Sequence, residues 1–171
     1  MSKQQALKPQ DIAVALRLAE SPEASYAALG ADLSMSPSTA HASVERLQLA
    51  GLLRPDSRQV NRHFLMEFLE HGVRYMFPAK LDVRARGVPT AWSGPALASE
   101  FISGDMIVWP DVKGNAVGQS MTPLYENAAE LPNRCPSVYE LLTLVDAIRI
   151  GRVRERAIAV EKIKDRLALA A

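Results

Sequence analysis

Between Leu7 and Phe77 apolar residues recur every three or four positions, the spacing that gives a helix one buried face. The pattern predicts a first helix from near Pro9 to about Glu20, with Ile12, Leu16 and Ala19 on one side and Asp11 in its first turn; Ser21-Pro22-Glu23 ends it. A second helix is predicted after Ser25, carrying Tyr26, Leu29 and Leu33. The connection Ser34-Met35-Ser36-Pro37 stops that helix and restarts the next. Ser36 suits an N-cap, since its hydroxyl can accept from an early backbone N–H, and Pro37 at the first helical position loses nothing by lacking one. The third helix is predicted over Pro37 to Ala50, closed by Gly51 in a left-handed cap. Ala40, Val44 and Leu47 then face a core, leaving Ser38, Thr39, His41, Ala42, Glu45 and Arg46 outside.

The pattern changes at Leu52. Residues 52–62 read as a short two-stranded ribbon turning at Pro55-Asp56-Ser57, and Arg54, Arg58 and Arg62 stand there against one acid, Asp56. Asn61 is placed to cap a helix whose apolar residues Phe64, Leu65, Phe68 and Leu69 lie on one side and which ends at Gly72. From Pro78 to Pro136 prolines and glycines recur too often for long helices. Met106–Pro110 reads as a strand, residues 111–115 as a turn and Ala116–Met121 as a returning strand, together a hairpin. Trp92, Trp109 and Tyr125 either line a pocket for a small effector or pin this segment onto the head. Beyond Pro136, Val138, Leu141, Leu142, Val145 and Ile148 form an apolar stripe. A second helix carrying Val153, Ala157, Val160, Ile163, Lys164 and Leu167 follows Gly151. The expected fold is therefore mainly α. It comprises a helix-turn-helix with a wing over residues 1–77, an irregular middle with a possible β-hairpin over 78–136, and a helical pair for dimerisation or partner binding over 137–171.

Composition narrows the functional classes. The chain has 171 residues, 48% of them hydrophobic and 23% charged, ordinary values for a globular protein with a real core. Twenty Lys and Arg against 19 Asp and Glu leave a net charge of +1, so a nucleic-acid role has to rest on local charge and on a motif. No stretch has the roughly 18 apolar residues of a membrane span, and the polar start leads into no signal sequence; a cytoplasmic protein is expected, with no membrane partner. The single Cys135 fits a reducing compartment. It lies between Arg134 and Pro136, which leaves a redox switch or an incidental thiol open.

There is no phosphate-cradling glycine loop, nucleophile elbow or metal-ligand cluster, so neither an enzyme, a cofactor nor a metal is expected. His63 and His71, eight apart, have no further ligands spaced to join them. Arg149, Arg152, Arg154 and Arg156 form a basic cluster. It suits phosphate or an acidic partner, or else a solvated face paired with Glu155 and Asp146.

Two short helices joined by a turn of three or four residues make the helix-turn-helix arrangement, whose second helix can enter a DNA major groove. The run Tyr26-Ala-Ala-Leu29-Gly-Ala-Asp-Leu33-Ser-Met-Ser36-Pro37-Ser38-Thr39-Ala-His-Ala-Ser-Val44-Glu-Arg46-Leu47-Gln-Leu-Ala-Gly51-Leu52-Leu53 resembles the winged helix-turn-helix of MarR-like bacterial regulators. It shares their Ser-Pro-Ser-Thr helix start, Val…Leu pair and Ala-Gly-Leu-Leu exit before a wing, and the likeness covers roughly residues 8 to 62. The resemblance implies a homodimeric repressor on double-stranded DNA, reading a near-palindromic operator with helix three in the major groove and the wing on the backbone or minor groove. The residues expected to meet DNA are Ser36, Ser38, Thr39, His41, Ala42, Arg46, Arg54, Ser57, Arg58 and Arg62. One departure is plain: Ala42 and Glu45 stand about where the group often has a basic residue. The competing expectation is a protein-binding adaptor or antitoxin-like partner that uses the same head and the C-terminal helices as a protein interface.

Overall fold

A computed structural model of the chain describes residues 5–102 and 104–169. Its head is helical where the apolar spacing demands it: α1 (Gln10–Glu20), α2 (Tyr26–Leu33) and α3 (Pro37–Leu49). The caps explain the boundaries. Ser25 Oγ accepts from the Ala28 N–H at 3.0 Å and Ser36 Oγ from the Thr39 N–H at 3.1 Å, each filling one of the donors a helix start leaves open. Ser34, at φ 56, turns α2 out in the left-handed conformation, and Gly51, at φ +79, does the same after α3. In α1, every residue from Asp11 to Leu16 is buried.

Asn61 caps α4 (Arg62–His71) through a bond from the Phe64 N–H at 3.2 Å, and the short α5 (Val73–Met76) follows. The inward line of α4 runs through Leu65, Met66 and Leu69. Phe64, expected inside, is instead 53% exposed. It lies one residue short of the 65–69–73 ridge that meets the core.

The middle holds three strands, β1 (Leu81–Pro89), β2 (Ile107–Pro110) and β3 (Ala116–Met121). The expected hairpin does not form. β2 and β3 are the two strands anticipated, but they run parallel, and each pairs antiparallel with β1, which closes a three-stranded barrel. Residues 111–115 form an excursion that leaves β1 opposite Gly87 and returns opposite the same residue, so the chain continues along β1. The glycines permit this crowding: a Cβ on Gly87 would overlap the Trp109 carbonyl, and one on Gly114 the carbonyl of Gly87.

The tail contains α6 (Leu131–Arg134), α7 (Pro136–Ile150) and α8 (Val153–Arg166). The stripe expected on α7 understates it, because every residue from Leu141 to Arg149 is buried. α7 runs through the middle of the molecule and packs on α1, α5, α8 and a 3-10 turn at Ala91–Ser93. One continuous core therefore joins residues of the head, the barrel and the tail. Within it Asp146 is fully buried. It accepts from Trp109 Nε1 at 2.6 Å, from Thr90 Oγ1 at 2.7 Å and from Arg149 at 2.8 Å, while Arg149 Nε donates to the Phe77 carbonyl at 2.9 Å. Burial pushes the Asp146 carboxyl upward, and Arg149, Thr90 and Trp109 act against that. A carboxylate taken out of water is tolerated only with such a full set of partners.

Candidate nucleic-acid interface

The N-terminal half of α3 is outward-facing and rich in hydroxyls. Ser36 Oγ lies 3.0 Å from Ser38 Oγ and 2.8 Å from Thr39 Oγ1, so three hydroxyls cluster at the positive end of the helix dipole. One turn on, His41 is half exposed. Its ring meets Tyr26 edge-on at 4.9 Å, and its Nδ1 lies 3.7 Å from Glu45. Ala42 borders the same face, half-buried.

The ribbon after α3 is short. Leu53 and Val60 bridge antiparallel, the Arg54 N–H donates to the Gln59 carbonyl at 2.8 Å, and Asp56 takes φ 52 at the turn. Gln48 Nε2 donates to the Ser57 carbonyl at 2.9 Å, which fixes the ribbon to α3. On its other side Arg58 donates to the Ala24 carbonyl at 2.6 Å, with its guanidinium 4.9 Å over the Tyr26 ring. Arg58, Tyr26 and His41 thus form one stack across the ribbon, α2 and α3. Tyr26 was not among the expected contacts; its apolar face hid its part in this stack.

Two expected contacts are withdrawn from the surface. Arg46 turns inward and grips Asp11 with both arms, Nε at 2.8 Å and Nη2 at 2.7 Å, and also reaches Ser43 Oγ at 3.2 Å. Asp11 is wholly buried, and the hydrogen bond to it holds Arg46 even more firmly charged than usual. Helical period explains the error. Arg46 follows Ser43 by three positions and shares its side toward α1, where a buried carboxylate needs a cation. Arg62 is taken as well. Its Nη2 donates to the Ala19 carbonyl at the end of α1 and its Nη1 to the Leu167 carbonyl past α8, both at 2.7 Å. Arg54 alone of the ribbon's arginines is exposed and has no side-chain partner among the described residues. The outward face of α3 consequently carries Glu45 and no arginine or lysine.

A contact from far along the chain meets this unit at the α2–α3 turn. Ser34 Oγ donates to Glu130 at 2.7 Å, Asn127 donates to the Ser34 carbonyl at 2.8 Å, and Arg134 reaches both Glu130 at 3.1 Å and the Ala31 carbonyl at 3.3 Å. The bond from Ser34, with help from Arg134, holds the Glu130 carboxyl below its ordinary range. Between this strap, residues 125–134, and the turn lies a cleft of about 730 Å³ that includes Ser36, Thr39, Tyr125 and Glu126. The Tyr125 phenol is buried without a hydrogen-bond partner among the described residues, and burial raises its pKa. No local signal in the sequence announces a contact 96 positions long.

The other candidate chemistry is scattered. Trp109 is fully buried against Tyr139 and Asp146, Trp92 donates to the Asp105 carbonyl, and Tyr125 lies at the strap, so the three aromatics share no effector pocket. Cys135 is 7% exposed with Sγ 3.6 Å from Ser137 Oγ, and its neighbour Arg134 points to Glu130. His63 and His71 are exposed, and among the described residues no three His, Cys, Asp or Glu side chains are grouped to hold a metal. No described helix is long and apolar enough to cross a membrane. Comparison with protein-family models, with characterised proteins and with solved structures found no match.

Proposed function

We propose that the chain is a sequence-specific DNA-binding transcriptional regulator, a dimeric repressor whose α2, α3 and following ribbon act as a winged helix-turn-helix. One observation carries the reading. α2 and α3 are joined by a three-residue turn with a left-handed Ser34, and α3 presents Ser38, His41, Ala42 and Glu45 outward beside a ribbon bearing Arg54 and Arg58. Hydroxyl and imidazole groups suit base edges and phosphates, and the start of α3 favours an anion. With so few free cations the electrostatic share is small. Two or three phosphate contacts per protomer give a log–log salt slope of only about −2 to −3 for each.

The test is selection of bound sequences from a random duplex library, followed by anisotropy titrations. Enrichment of an inverted repeat with half-sites about 10 bp apart supports the reading. His41→Ala should then weaken the selected site far more than random duplex, while Arg54→Ala should weaken both alike. Equal, weak binding to every sequence would sink it. The second reading is a protein-binding adaptor, in which α3 meets another protein. It is favoured by the loss of Arg46 and Arg62 to internal partners and by the acidic Glu45 on the outer face.

A further inference from the structure

The basic residues of the tail divide into two groups. Arg149 is held by Asp146, Lys162 by Glu100, Lys164 by Glu70 and Glu161, and Arg166 by Glu20 and Glu140. Arg152, Arg154 and Arg156 have no ion-pair partner among the described residues, and neither has Arg74 on α5. Cations at the first turn of α8 work against the helix dipole, so they do not stabilise the helix that carries them.

Arg74 and Arg156 line the same groove, of about 440 Å³, between α4–α5 and α8. Its apolar lining includes Tyr75, Ile148, Val153 and Val160. Tyr75 is 76% exposed and Val153 75%, unusual for large apolar side chains that line one concave surface. Arg74 stacks on Tyr75 with its guanidinium 5.5 Å from the ring, which leaves its N–H donors open. The groove's own acids, Glu70 and Glu161, lie 3.5 Å and 3.7 Å from Lys164, and with Arg74 and Arg156 beside them the balance of charge is positive.

We propose that this groove binds an acidic peptide segment of a partner protein. A bulky apolar side chain of the segment seats against Tyr75 and Val153, and its flanking carboxylates meet Arg74 and Arg156. Charge complementarity selects the occupant. The unpaired charge is positive, and Arg–carboxylate pairing is strongest as a two-pronged contact beside desolvated surface. A nucleic-acid backbone fits less well, because it has no apolar group for Val153, Ile148 and Val160.

The experiment is a random dodecapeptide display selection on the full chain, followed by anisotropy titration of the enriched peptides. Enriched sequences should combine two or more Asp or Glu residues with Leu, Phe or Trp. Arg74→Glu with Arg156→Glu should weaken them more than tenfold, and Tyr75→Ala with Val153→Ser by a similar factor. Both variants should melt close to the unaltered chain, because among the described residues these side chains make no hydrogen bond or ion pair and the Arg74–Tyr75 stack is exposed; if the charge reversal unfolds the chain, Arg74→Gln with Arg156→Gln replaces it. Enrichment without acidic bias, or unchanged binding by the variants, overturns the proposal. So does a random-sequence duplex that binds wild type and loses affinity in the same variants when no peptide does. A sedimenting dimer that the same substitutions dissociate also overturns it, because the occupant is then a second copy. None of these outcomes depends on whether α3 reads DNA.

Discussion

Arg46 and Arg62 of the head and Arg152, Arg154 and Arg156 of the tail carry the same charge into opposite situations. At the head, where the α2–α3 unit leads one to look for phosphate contacts, Arg46 is bound to Asp11 and Arg62 to two carbonyls. At the tail, where α7 and α8 form part of the core, Arg152, Arg154 and Arg156 have no counter-ion among the described residues. A guanidinium's place in a sequence motif therefore does not decide its role. That depends on whether an unpaired buried acceptor lies within reach, since leaving a buried charge alone is far costlier than leaving a solvated one.

Four measurements probe that contrast, beginning with the largest effect. Arg149→Met strands Asp146 in the core and is expected to remove about 3–5 kcal/mol of stability in urea unfolding. Arg46→Met strands Asp11 at the α1–α3 contact. Because Arg46 is 11% exposed, against 4% for Arg149, water can reach the site more easily, and the loss should be smaller, about 3 kcal/mol. If Arg46→Met instead leaves stability intact and abolishes DNA binding, the head arginine belongs with the exposed class and the contrast fails.

The third measurement uses pH. Burial raises the Tyr139 phenol to about 12 from 10.0, and its hydroxyl donates to the Pro89 carbonyl at 2.6 Å. The folded state thus prefers the neutral phenol. Its contribution is complete below pH 10, declines once the unfolded chain begins to ionise, and is gone as the pH passes about 12. Solvent access to the ring reduces the full linkage value, so a loss of about 1 kcal/mol is expected, and Tyr139→Phe should flatten the alkaline slope. Last and smallest, Arg54→Ala and Arg152→Ala should each change stability by less than about 0.5 kcal/mol. On the proposed reading Arg54→Ala should also lower the salt slope of DNA binding by about 1, and Arg152→Ala should leave it unchanged. Equal effects of the two on DNA binding would relocate the interface.

What was legible beforehand was local. Ser25, Ser36, Pro37, Gly51 and Asn61 state their helix boundaries through caps and backbone preferences that neighbouring residues decide, and each helix begins or ends where they indicate. β1 was missed because its alternation is broken. A register shift between Leu81 and Arg84 leaves Val83 exposed, and the surrounding prolines suggested loop instead. The parallel pairing of β2 and β3 could not be read from their short connection, which normally signals a hairpin. In the candidate interface the outward set of Ser38, His41 and Ala42 followed from helical period, whereas the fates of Arg46 and Arg62 depend on carbonyls and carboxylates distant in sequence. The spacing places Asp11 in the first turn of α1 and says nothing of its burial, which makes it the group that claims Arg46.

Arg62 also bears on how the molecule is assembled. One guanidinium joins the end of the first helix, 43 positions before it, to a carbonyl 105 positions after it. During synthesis the ribbon and the start of α4 emerge long before Leu167 does. Until that last turn arrives, Arg62 has only half its acceptors, and the wall it closes with Leu18, Val60 and Leu169 is incomplete. Folding of the head is thus finished by the tail. Shortening the chain before Leu167 would be felt first at the base of the ribbon, the part of the protein proposed to lie against DNA.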